Sequence, residues 1–235
     1  MTKKTQNSLV SIILAVKNGE RFLKRAIRSV LEQNYGNYEL IVVDGHSIDQ
    51  TSAIVQSDQS EKIHYIAQKH DGLADARNVG IKSSNGDLIA FLSCDDYWSA
   101  SKLNLQVRYL NERPNVGYVT SRFKFFLESG YSIPKGFRKK LFRGEQTGEL
   151  SETLLVRKSV FKKIGMFDQE ISPADDVDWF SRAHDFKITT AQVPNVLVYK
   201  SVNDSNLSMN IELNNSNLLD ILRRSIHRKR CLKSV

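Results

Sequence analysis

Phe91–Trp98 reads FLSCDDYW, an apolar run that ends abruptly in two adjacent carboxylates, Asp95 and Asp96. A strand of this kind delivers acids to its C-terminal end, the edge at which open α/β sheets bind their ligands. The stretches before it show what kind of sheet this is. Leu9–Val16 (LVSIILAV) is a nearly continuous apolar run, the pattern of a strand buried on both faces. From Glu20 to Gln33 the residues Phe22, Leu23, Ala26, Ile27, Val30 and Leu31 recur at helical spacing. Tyr38–Val43 is a second strand that ends at Asp44 and Gly45, after which Ser47 and Asp49 offer caps for a helix over Thr51–Gln56. Ile63–Ala67 is a third strand. DGLADARNVG, Asp71–Gly80, reads as a loop running into a helix that ends near Ser83, and Asp87–Leu92 is the strand that leads to the acids. Strands and helices alternating in units of about thirty residues are right-handed βαβ crossovers, and they predict a mainly parallel sheet.

Beyond the acids, Ser101–Arg113 is a helix stopped by Pro114, and Val116–Phe126 is a strand. Tyr131–Gly148 changes character. It carries Lys135, Arg138, Lys139, Lys140 and Arg143 among glycines, and is expected to be a mobile loop over the site or at a membrane surface. Glu152–Val156 reads as a strand, Lys158–Ile164 as a short helix, and Ser172–Phe186 as a capped helix with acids in its first turn. Ile188–Gln192 and Val196–Lys200 are late strands. After Asn217, LLDILRRSIHRKR forms a helix with Leu218, Leu219, Leu222 and Ile226 opposing Arg223, Arg224, Arg228, Lys229 and Arg230. The expected organisation is one domain over 1–209, with a nucleotide-sugar-binding half over 1–100 and an acceptor half over 101–209. A basic helical tail follows over 210–235.

The 235 residues are enough to bury a substantial core, and 40% apolar with 26% charged residues is ordinary for a soluble globular chain. Cys94 and Cys231 are too few for a disulfide scaffold, which fits a reducing cytoplasm. No window approaches twenty consecutive apolar residues, and Met1–Asn7 lacks the apolar middle of a signal peptide. The expected location is the cytoplasm, with peripheral attachment at the inner face of the membrane as an option. A net charge of +8 calls for an anionic partner.

Asp95 and Asp96 are hard oxygen ligands suited to Mg²⁺ or Mn²⁺, which are held by one or two carboxylates together with substrate phosphates; a solvated turn is the plain alternative. Asp44 beyond the second strand suits a base or ribose contact, or simply a capping turn. In DGLADARNVG, Arg77 suits a phosphate, and Asp75 a sugar hydroxyl or the orientation of Arg77; a helix start with an internal ion pair explains the segment equally. Asp175, Asp176 and Asp178 lie just inside a helix, where the macrodipole favours acids; capping is one reading and a base role the other. The chain has no glycine-rich phosphate cradle, no G-x-S-x-G elbow, and no metal-ligand spacing among its five histidines.

In this order and spacing, SIILAVKNGERFLKRAIRSVLEQ, IVVDGHSIDQT, DGLADARNVGIKSSNGDLIAFLSCDD and KIGMFDQEISPADDVDWFSRA resemble the family 2 glycosyltransferases, from about Leu9 to Lys200. The resemblance implies the α/β GT-A fold, a mixed C-terminal acceptor half, and inverting transfer of a sugar from a nucleotide donor. It implies that Ala15 and Asp44 hold the nucleobase, usually uracil in this family, with Ser47 in the same pocket. Asp71, Asp75 and Arg77 would line the diphosphate and donor sugar, and Asp95 would be the last acid of an Asp-x-Asp metal motif beside Asp96. Asp175 and Asp176 match the Glu-Asp position, the second member being the base and the first its fallback; Trp179 and Arg182 continue that motif. The chain departs from the pattern in three places. Ser93 replaces the first acid of Asp-x-Asp, Gly45 and His46 stand where an acid and a glycine are usual, and Val202 and Asn203 stand where many relatives carry a metal-binding histidine.

The implied partners are a nucleotide sugar, a divalent metal (Mn²⁺ or Mg²⁺), a glycan or lipid-linked acceptor of surface polysaccharide synthesis, and an anionic membrane surface. Nucleic acid would be repelled by the acids at the sheet edge. The rival readings are a degenerate copy that binds nucleotide sugar without turning it over, and a nucleotidyltransferase, for which Ile12–Asn18 lacks the basic glycine-rich loop.

Overall fold

The computed structural model describes residues 7–203 and 211–233. The leaderless reading of Met1–Asn7, the Asn-rich stretch before residue 211 and the expected boundary at 209 fall wholly or mainly outside those residues. One eight-stranded sheet runs in the order β3-β2-β1-β4-β7-β6-β8-β5. Its first half is built from β1 (Val10–Val16), β2 (Tyr38–Asp44), β3 (Ile63–Ala67) and β4 (Leu88–Ser93), all paired in parallel. The crossovers are α1 (Leu23–Leu31), α2 (Thr51–Gln56) and α3 (Leu73–Ser83). β1 and β2 are buried on both faces, hence their unbroken apolar runs. α3 can lie close to β1 because Gly80 has no side chain; a Cβ there would stand 2.4 Å from Ile13 Cγ2.

The second half is mixed. β5 (Tyr97–Trp98) pairs antiparallel with β8 (Thr190–Val202), and β7 (Leu155–Arg157) runs antiparallel between β4 and β6 (Tyr118–Leu127). The two late strands expected over Ile188–Gln192 and Val196–Lys200 are the single β8. It crosses Pro194 where the register with β6 shifts, so the missing N–H falls in the irregularity rather than in a regular ladder. Glu152 is not in a strand: Ser151–Thr153 is a 3₁₀ turn leading into β7.

α4 (Lys102–Glu112), α5 (Lys158–Ile164) and α6 (Asp175–Asp185) pack on the sheet, with the fully buried Trp179 of α6 among Tyr118, Phe161, Phe167 and Phe180. The basic segment after β6 is laid back along that strand. Gln146 exchanges two backbone hydrogen bonds with Phe123, and Phe137 packs on Phe125 and Phe142. α7 (Ile211–Lys233) begins seven residues before the expected helix and runs along α6. No helix among the described residues is long and apolar enough to cross a membrane.

Candidate active site

β1 leads to β2 and β3 on one side and is flanked by β4 on the other, so the chain reverses direction across the sheet between β1 and β4. Ligand crevices open at such a switch point, beyond the strands' C-terminal ends. The register aligns Ala15 with Val43 and Ser93, and Asp44 with Val16 and Ala67, which puts the expected residues on one edge. A small cleft there is lined by Ala15, Leu73, Arg77, Ser93, Ser151 and Glu152.

The Asp44 end is stitched before any ligand arrives. Asp44 is buried; its Oδ1 accepts from the Ser47 N–H at 3.0 Å and its Oδ2 from the Tyr65 hydroxyl at 2.7 Å. Ser47 Oγ accepts from Asn18 N, and Asn18 Oδ1 accepts from Ile48 N, which ties the β1 loop to the β2 loop. His46 has φ +61°, the conformation that the family's glycine adopts without strain.

Asp71 lies at the rim, 80% exposed, 3.4 Å from Lys17 Nζ. Asp75 is buried, and its two oxygens accept from Gln68 and Gln169. Asp75 therefore does not orient Arg77. The Arg77 guanidinium, 6% exposed, donates to Asp175 Oδ2 at 2.6 Å and to Ser151 Oγ at 2.8 Å, and stacks over Phe167. It braces the base end of the site instead of lying open to a phosphate.

This bracing separates the two acids at the start of α6. Asp175 is fully buried against Arg77. Asp176 is partly exposed and accepts weakly from Ser151 N at 3.3 Å. Burial raises the Asp176 carboxyl to about 6; Arg77 opposes that shift, and Glu152 and Asp175 add to it. None of these acids caps α6: its N-cap, Ala174, has no side-chain bond, and Asp178 pairs with Arg182, which also holds the carbonyls of Ile164 and Met166.

Beyond β4, Asp96 is 1% exposed and turned inward; Lys200 Nζ donates to its Oδ2 at 2.7 Å and Ser201 N to its Oδ1 at 2.8 Å. It does not stand beside Asp95 as a second open ligand. Lys200 also lies 3.3 Å from Glu152, whose other oxygen accepts from Ser93 Oγ at 2.7 Å. Burial disfavours the Lys200 ammonium, but Asp96 and Glu152 outweigh it and hold the lysine protonated. Burial would raise Glu152, yet Lys200, Arg77 and Ser93 bring it down to about 2. Asp95 is partly exposed, and its Oδ2 accepts from Asn203 Nδ2 at 3.0 Å. Asn203 thus meets the acid at the position where a histidine was expected.

The model of the family described as glycosyl transferase family 2 matches residues 11–165, two-thirds of the chain. The chain belongs to glycosyl transferase family 2. An uncharacterized glycosyltransferase of Rickettsia typhi is 34% identical over 193 residues, covering 77% of this chain and 60% of its own length. An Escherichia coli UDP-Glc:α-D-GlcNAc-diphosphoundecaprenol β-1,3-glucosyltransferase, WfgD, is 36% identical over 117 residues, covering 49% of this chain and 46% of its own. This family 2 chain therefore spans 60% or less of the length of these curated relatives. The Staphylococcus aureus TarS fragment 1–349 in complex with UDP-GlcNAc superposes with a TM-score of 0.74 at 18% identity, covering 93% of this chain and 66% of that one. The Pyrobaculum calidifontis mannosyltransferase PcManGT, in complex with GDP-Man and Mn²⁺, gives 0.72 at 17% identity over 93% and 64%. The fold is GT-A.

The family implies a divalent cation, and the charge of the site fits one. Among the described residues Asp96, Glu152 and Asp175 pair with Lys200 and Arg77, while Asp95 and Asp176 add two further carboxylates, so a cation that accompanies a diphosphate offsets its repulsion there. Among the described residues no three His, Cys, Asp or Glu side chains gather to cage a metal. Asp95 would hold the ion together with the donor's own phosphates, an arrangement usual for Mg²⁺.

Sequence reading missed Glu152, Lys200 and Ser151. The available signal was a lone charge at the end of each of two apolar stretches, Glu152 before TLLV and Lys200 after VLVY.

Proposed function

We propose that this family 2 chain transfers a glycosyl group, with inversion, from a UDP-sugar to a hydroxyl of a glycan carried on a lipid diphosphate, in surface polysaccharide synthesis. The observation that carries the reading is the division of labour between Asp175 and Asp176. Arg77 takes the first as a fixed counter-charge and leaves the second near the cleft with a carboxyl raised to about 6. A general base works best when its pKa lies close to the operating pH, and such groups contribute ~10²–10⁴-fold.

Asp44 and its stitched loops receive the nucleoside, and Ala15 lines the cleft beside it. The diphosphate lies towards Asp95, where a bound divalent ion would neutralise the charge that develops on the leaving group. Asp176 takes the proton of the acceptor hydroxyl as its oxygen attacks the anomeric carbon; the bond from that carbon to the diphosphate oxygen breaks, and nucleoside diphosphate leaves from the opposite face. Arg77, Ser151 and Glu152 hold Asp176 and the metal end in register but do not themselves exchange protons. The lipid-linked acceptor is supported by the named activity of WfgD, and the UDP donor by the complex named for TarS.

The test is incubation with a panel of nucleotide sugars and Mn²⁺ or Mg²⁺, with and without GlcNAc-diphosphoundecaprenol. Nucleoside diphosphate release that rises with the acceptor is the expected result. Pyrophosphate would point to nucleotidyl transfer, and binding without any release would point to a degenerate copy.

A further inference from the structure

α7 is held to the body by its polar side. Asn217 Nδ2 donates to the Ile171 carbonyl at 3.0 Å, Ser225 Oγ and Arg228 Nε donate to Asp185 at 2.9 Å each, and Arg224 reaches Asp168 at 2.6 Å. Among the described side chains of α7, Ile221 is buried and packs with Ile171 and Ala174. An apolar stripe ordinarily turns to the core.

The stripe instead faces outward. Leu218, Leu222 and Ile226 form one row at helical spacing, 47%, 56% and 45% exposed, with Leu219 beside them at 58% and Leu232 further on at 47%. These are five of the eight large apolar side chains exposed among the described residues. A contiguous outward row of this kind marks an interaction surface. Its setting is cationic: the helix from Leu218 onward carries Arg223, Arg224, Arg228, Lys229, Arg230 and Lys233 against Asp220 alone. Asp220 is already 3.1 Å from Arg223.

We infer that the outward stripe of α7 docks on an anionic lipid surface, with the helix lying in the plane of the interface and its leucines among the acyl-chain ends. Charge decides between occupants. Arg223 and Lys229, 77% and 61% exposed in their side chains, keep charge on the outer side of α7; two copies stacked through this stripe would bring those like charges together, whereas anionic headgroups complement them. The body's own acids hold the opposite side, so docking requires no unfolding of α7.

The inference is independent of the transfer reaction, because vesicle binding needs neither donor nor acceptor. The full chain is mixed with phosphatidylcholine vesicles with or without phosphatidylglycerol, in parallel with Leu219→Gln/Leu222→Gln. Expected are binding to the phosphatidylglycerol vesicles only, loss of binding on raising salt from about 0.1 to 1 M, and roughly tenfold weaker binding by the variant at an unchanged melting temperature. Absence of binding, or equal binding by the variant, overturns the inference. So does a dimer that the variant dissolves while vesicle binding stays the same, which would assign the stripe to a second copy. Nucleoside diphosphate release measured without vesicles reports separately on the transfer reading.

Discussion

Replacing Asp176 with asparagine removes the proposed base while keeping its shape and its acceptor for the Ser151 N–H. Two readouts follow from the structure. With a carboxyl at about 6, roughly nine-tenths of the enzyme holds an ionised Asp176 at pH 7 and about a tenth does so at pH 5. The transfer rate should therefore fall about tenfold over those two units along a limb centred near pH 6. Asp176→Asn should lower kcat by ~10²–10⁴-fold and abolish that limb, because no group is left to titrate there. Donor affinity should stay within about threefold, since the proposed nucleoside contacts, Asp44 at the end of β2 and Ser47 in the loop after it, lie away from α6. The assay is nucleoside diphosphate release from pH 5 to 8, with donor binding by calorimetry. A variant that keeps kcat within threefold of the parent, or that keeps the limb, would refute the assignment. Asp175→Asn is the structural contrast: it strands the Arg77 guanidinium, 6% exposed, and should lower the melting temperature as well as the rate.

Lys200→Met leaves Asp96 and Glu152 buried without their shared cation and should destabilise the protein by roughly 3–5 kcal/mol in thermal or urea unfolding; a loss below about 1 kcal/mol contradicts the triad. Lys102 is wholly buried, and burial lowers its pKa to about 7 from 10.5. Between those values the unfolded chain binds the extra proton, so the penalty is complete below pH 7 and fades as pH rises to 10.5. Stability should then climb by about 2 kcal/mol from pH 7 to 9, and Lys102→Met should remove the climb and raise the melting temperature at neutral pH. Asp95→Asn should weaken Mn²⁺ binding measured with UDP present while leaving the unfolding midpoint nearly unchanged, whereas Asp96→Asn should lower the midpoint first; the reverse order would make Asp96 the ligand.

The first half of the sheet was legible because a parallel strand buried on both faces has to be largely apolar, as β1, β2 and β4 are; β3, at the edge of the sheet, is only half-buried. The residues on its edge followed from that reading: Asp44 ends β2, and Asp95 and Asp96 lie in the turn just after β4. What could not be read was which acids would find cations. Lys200 meets Asp96 across 104 positions of chain and Ser93 meets Glu152 across 59. Those contacts depend on β7 and β8 being inserted beside and beyond β4 in an order that hydrophobic periodicity does not encode. Pro194 deepened the difficulty by making one strand look like two.

The same reason explains α7. Its periodicity located the helix but left open whether the leucines turn to the core, as the amphipathic rule has it, or outward. The rule assumes that the body offers an apolar seat. Along α6 and the turn before it the body offers Asp168, Asp178 and Asp185 instead, and these select Arg224, Arg228 and Lys229. A single surface ion pair is worth little, but Asp185 is 1% exposed in its side chain and is met by Ser225, Arg228 and Lys229 together, so leaving it unmet would cost far more. Asp185 of α6, met by Ser225, Arg228 and Lys229 together, decides which side of α7 faces inward and so leaves its leucines on the surface.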